Sequence, residues 1–206
     1  MGTIQSGNSA ATRIKAGEHV IARSQAVDTT PVAAPFRQFG GKHKSYDASD
    51  VKVKKASARL ALAERAFGEG DALQDGAVIT LAVAYITAGA KRTNPFAGLG
   101  VGTPSDIIRT ATLKEAKLIL KLAAISEKHA DAGVKKAAAA AKKAATAVLA
   151  KEKPIAERIK ARTQAMTLRD GLGLQWEKAF ASLKIAARAA DDAQGTKLFE
   201  ALFSES

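Results

Sequence analysis

An all-α fold, a multi-helix bundle of six to seven helices behind an extended N-terminal arm, is what this sequence predicts, and three observations carry it. Apolar residues recur at three-and-four spacing in five separate segments, the period of a helix with one buried seam. Aromatic residues make up 5% of the chain while the AVILMFWYC class reaches 47%, so the core must be built mostly from alanine, leucine, isoleucine and valine. Proline, glycine and capping residues punctuate the segments at plausible helix ends.

Residues 1–46 are read as the arm. They are poor in large aliphatic residues, and Pro31, Pro35 and the Gly40-Gly41 pair act as breakers. One weak helix is expected over about residues 10–27, with Gly17 counting against it. The bundle domain is placed at 47–206. Its first helix carries Val53, Ala56, Leu60, Ala63 and Phe67 on one face and is expected to stop at Gly68 and Gly70. A second helix follows over 72–90, where Val, Ile and Thr content leaves a strand at about 78–87 as the alternative.

The connector Phe96-Ala-Gly-Leu-Gly-Val-Gly102 is glycine-rich and precedes a helix, the context of a phosphate loop. It lacks both the Gly-Lys-Ser/Thr ending and the G-x-G-x-x-G spacing, so it is read as a flexible linker. Thr103-Pro104-Ser105-Asp106 has an N-cap hydroxyl, a proline at the first helical position and a carboxylate three residues after the cap. The helix it opens is expected to reach about Ala130, with Ile107, Ala111, Leu118, Leu122 and Ile125 inward. After a break near Gly133, Val134, Ala138, Ala141, Ala145 and Val148 form the next seam. Pro154 starts a helix with Ile155, Ile159 and Met166, stopped by a turn at Asp170-Gly171-Leu172-Gly173. Leu172, Trp176, Ala179, Leu183 and Ala186 make another seam, and a short helix over 196–203 presents Leu198, Phe199, Leu202 and Phe203 as a plug for the end of the bundle.

The 206 residues contain no cysteine, which excludes disulfides and thiolate chemistry. The N-terminus lacks the apolar run of a secretory signal. It matches the loose M-G-x-x-x-[ST] pattern through Gly2 and Ser6, a short pattern that arises often by chance and is read as a polar terminus. The uncharged run Gly76–Ala90 has 15 residues, short of the ~20 that span a bilayer. Cytoplasmic residence, or a place within an assembled particle, is the expected localisation, with no membrane span.

Acid–base or nucleophilic catalysis needs converging groups, and this chain offers only His19, His43 and His129 besides its carboxylates. None sits in a metal-binding or catalytic spacing. The expectation is therefore no enzyme, no cofactor and no metal, with His129 read as a helix-terminal histidine favoured by the helix dipole. Charge is more informative. Residues 105–163 hold fourteen Lys and Arg against six Asp and Glu, a net +8 of the chain's +12. Lys114, Lys121, Lys128, Lys135 and Lys142 are each seven residues from the next, so an unbroken helix would carry a ladder with rungs about 10 Å apart. A hairpin instead splits it into Lys114, Lys117, Lys121 and Lys128 on one helix and Lys135, Lys136, Lys142 and Lys143 on the next. These eight are the candidate polyanion or nucleic-acid contacts, the bland reading being a solvated helix face.

The arm supplies a second candidate, since Phe36, Arg37, Phe39 and Tyr46 interleave aromatic and basic groups. Such a combination binds single-stranded nucleic acid or docks onto the chain's own bundle or a neighbour's, and docking is preferred for want of an RNA-binding signature. The expected function is a non-catalytic helical structural protein, a subunit of a larger particle, filament or virion, whose partners are itself or other subunits. An architectural protein binding DNA or RNA is the alternative.

Overall fold

The structure, a computed structural model, describes residues 9–204. Gly2 and Ser6 lie outside the described residues. Seven α-helices are present among them and no strand: α1 Ala10–Ser24, α2 Ala33–Thr87, α3 Pro104–Ile108, α4 Thr112–Ser126, α5 Ala132–Leu149, α6 Glu152–Gln194 and α7 Leu198–Phe203. The strand alternative at 78–87 is thereby set aside. Among the described residues no helix is long and apolar enough to cross a membrane.

The chain forms two compact units, Met1–Ser57 with Lys160–Ser206, and Ala58–Ile159, a division that does not follow the expected boundary at residue 46. The arm is likewise corrected. Pro35 lies in the first turn of α2, where its missing N–H costs nothing, and residues 33–46 are helical throughout. In the first unit Phe39 and Tyr46 of α2 are buried with Trp176, Phe180 and Leu183 of α6. Trp176 and Phe180 stack at 4.8 Å, and the Phe39 edge meets Trp176 at 5.7 Å. Helix α1 covers this core with Ala16, Gly17 and Val20, held by the Arg13–Glu177 ion pair.

Glycine explains two further departures from expectation. Gly68 and Gly70 do not end a helix, and the turn expected at 170–173 is helix interior. Glycine disfavours a helix by only about 1 kcal/mol, which tertiary packing outweighs. At Gly173 a Cβ would stand 3.3 Å from the Tyr46 ring, and at Gly70 it would meet Val148 at 3.1 Å. Both glycines serve as gaps through which a neighbouring side chain approaches the backbone.

The end of α6 turns through Gly195, whose φ of +64° suits glycine. The Asp191 carboxylate then accepts hydrogen bonds from the backbone N–H groups of Leu198 (2.6 Å) and Phe199 (2.9 Å), substituting for the missing helical acceptors of α7. Leu198, Leu202 and Phe203 close the core, as the plug reading required.

In the second unit α4 and α5 pack as a hairpin. All five expected seam residues of α5, Val134, Ala138, Ala141, Ala145 and Val148, are fully buried. The segment expected as one helix from Pro104 to about Ala130 is two. Helix α3 opens with the anticipated capping box between Thr103 and Asp106, but the chain breaks at 109–111 before α4 begins. Consequently Ile119 and Ala123 face the core, while Ala111 and Ile125 face outward. The glycine-rich connector is an ordered cover rather than a free linker: Phe96 and Val101 are buried, and Gly98, Gly100 and Gly102 have φ of +82°, +67° and +81°.

Candidate functional site

The basic hairpin follows from the alanine seam. Alanines at 137, 138, 141 and 145 let α5 approach α4 closely, and the residues that flank them, Lys135, Lys136, Lys142 and Lys143, are left facing outward. All eight candidate lysines are exposed. Lys114, Lys117 and Lys121 lie on α4, whereas Lys128 falls beyond its end, because the break comes at 127–131 and Gly133 sits inside the first turn of α5. The seven-residue ladder is thus divided between two helices and a turn. Lys142 pairs with Glu127 at 2.8 Å, and Lys121 donates to the Gly100 carbonyl at 3.2 Å. Among the described residues the side chains of the other six make no hydrogen bond or ion pair, so their ammonium groups remain free for an external anion.

The second candidate group is dispersed. Phe39 and Tyr46 are 0% and 1% exposed, Phe36 is half-buried and Arg37 is exposed. Phe39 and Tyr46 lie in the core of their own unit, so neither ring is free to meet a partner or stack on a base.

His43 lies one turn past Phe39, in a gap that Gly17 leaves open. Its Nδ1 accepts a hydrogen bond from the Trp176 Nε1–H at 3.1 Å, so Nδ1 carries no proton and the ring is neutral. Burial pushes its pKa below 6.5, against the opposing pull of the Asp47 and Glu18 carboxylates. The folded state therefore takes up a proton less readily than the unfolded one. Stability from this site is present above pH ~6.5 and is lost as pH falls through the folded pKa. Denaturant midpoints at pH 7.5 and 5.5 are expected to differ more in the wild type than in His43→Gln; equal losses in both proteins would show that another group governs the acid side.

His129 packs edge-on against Tyr85 at 5.2 Å, and its Nδ1 accepts from the Asp131 N–H at 3.1 Å. It lies three residues past the end of α4 rather than in its last turn. With Lys128 it also lines an open groove of about 530 Å³ walled by Tyr85, Ala88, Pro95 and Ile125, a lining that includes no carboxylate.

A constellation not foreseen from sequence lies elsewhere in the second unit. Asp71 and Asp75, one turn apart on α2, and Glu115, in the first turn of α4, each offer an oxygen within 4.8 Å of the others. Glu115 is 1% exposed. Burial first, and the neighbouring Asp75 carboxylate second, push its carboxyl up to about 8. The fully buried Gln74 donates its Nε2–H to Asp71 Oδ1 and to the Thr112 carbonyl, both at 3.2 Å.

Comparison with models of protein families, with characterised proteins and with solved structures finds no significant match to this chain.

The acidic constellation had a signal in the sequence. Glu115 stands in the three-and-four register of Ile119, Leu122 and Ser126, all buried, so an acid was written into an apolar seam. Reading a helix stop at Gly68 and Gly70 concealed it, because it separated Asp71 and Asp75 from a continuous packed helix.

Proposed function

We propose that this chain is a non-catalytic helical structural protein that assembles with copies of itself, as a subunit of a larger particle, filament or virion, in the cytoplasm or within the particle. The observation supporting this reading is a spaced pair of large apolar side chains left outside the core of each unit. In the second unit Leu62 and Leu73 are 66% and 69% exposed; in the first, Leu174 and Ile185 are 59% and 70% exposed. Each pair is eleven residues apart, about three helical turns, so its members stand on one line of the helix. Single exposed leucines are ordinary, whereas aligned ones suit a helix face that a second copy covers.

A second reading, an architectural protein that binds DNA or RNA, is favoured by the free lysines of the hairpin. Affinity would then arise from phosphate contacts and counterion release. Sedimentation of the purified protein with and without duplex DNA or RNA, at two salt concentrations, separates the two readings. Assembly without nucleic acid is the expected result. Should nucleic acid drive it, Lys142→Gln with Lys143→Gln ought to weaken binding and flatten its log–log salt dependence by about one unit per lost phosphate contact. A chain that stays monomeric under every condition contradicts both readings.

A further inference from the structure

We propose that Asp71, Asp75 and Glu115, together with the side-chain carbonyl of Gln74, form a binding site for one hard divalent cation. Three carboxyl oxygens converge within 4.8 Å, a span that an ion with metal–oxygen distances of about 2.0–2.6 Å bridges. The donor set is all oxygen, which selects magnesium, manganese or calcium over the softer zinc and copper.

Convergence of acids alone would not suffice, since repulsion normally keeps such groups solvated. Here two buried oxygens are left without a hydrogen-bond partner, Glu115 Oε1 and Gln74 Oε1. Gln74 is 0% exposed, and its amide is bonded to Asp71 through the other atom of the same group. The unsatisfied oxygen therefore belongs to an amide already seated on the Asp71 carboxylate. Buried acceptors are nearly always satisfied in native proteins, and an ion supplies what both lack.

Nor is the charge neutralised from within. In a chain with 32 Lys and Arg, none of the described ones forms an ion pair with any of these three carboxylates. The donor that bonds to Asp71 is the uncharged amide of Gln74. The ligands come from two helices of one unit, α2 and α4, so binding would cross-link them.

The test is calorimetric titration of the chelator-treated full chain with calcium, magnesium and manganese chlorides in turn, paired with thermal unfolding. At least one ion should bind once per chain and raise the unfolding temperature in a saturable way. Asp75→Asn and Glu115→Gln should each weaken binding by about tenfold or more, while the exposed Glu64→Gln leaves it unchanged. Neither site variant adds charge or bulk, so both should fold at least as well as the wild type without metal; Asp71→Asn supplies the same reading should either fail to fold. No saturable binding by any of the three ions up to about 5 mM overturns the proposal, leaving a proton shared between Glu115 and Asp75 as the whole content of the site. Binding that survives in all the site variants overturns it equally, by placing the ion elsewhere.

Discussion

Ala141→Asp is expected to destabilise the second unit by several kcal/mol, on the order of 4. Ala141 is fully buried in the α5 seam, between Ala138 and Ala145. A methyl group there permits close approach of the helices. A carboxylate at the same place would need room that the packing lacks and a partner that the surrounding alanines, valines and leucines do not provide. Protonating the new acid lessens the charge cost but keeps the steric one. The adjacent double change Lys142→Gln with Lys143→Gln touches only exposed side chains and one half-exposed ion pair to Glu127, and should stay within about 1 kcal/mol of the wild type. Chemical denaturation followed by circular dichroism distinguishes the two. An unchanged midpoint for Ala141→Asp would remove the seam, and with it the reason the lysines face outward.

The second large effect is expected at Gly17. A Cβ at this position would overlap the ring of His43, and that ring is held in place by the hydrogen bond from Trp176 and by stacking on Phe39. Gly17→Ala therefore forces α1 away from the core or turns the imidazole off its donor, at a cost of about 2–3 kcal/mol. Gly41→Ala and Gly171→Ala, also helical but with nothing within 4 Å of the added carbon, should stabilise by about 0.5–1 kcal/mol through the lost flexibility of the unfolded chain. Opposite signs for the same chemical change are the diagnostic. The single tryptophan reports the mechanism directly, since its emission should shift in Gly17→Ala and not in the other two. If all three variants move stability in the same direction, the close approach of His43 to Gly17 is wrong.

Legible in the residues alone was whatever a helix states locally. The period of Val134, Ala138, Ala141, Ala145 and Val148 named a buried face because 3.6 residues per turn admit no other arrangement of those side chains. The Thr103–Asp106 capping box announced a helix start, since its partners lie within three residues of each other. The outward placement of seven of the eight lysines followed from the same periodicity, Lys128 lying in the turn after α4. Tertiary structure alone decided what lies opposite each face. It showed that Gly70 and Gly173 are approaches rather than stops, that Phe39 and Tyr46 are core rather than arm, and that Glu115 meets Asp71 and Asp75 from forty residues away. The physical reason is one of scale: glycine's local bias against helix is about 1 kcal/mol, and the burial of a single large aromatic or aliphatic side chain, contributing about 1.5–3 kcal/mol, overrides it once a distant segment supplies the surface.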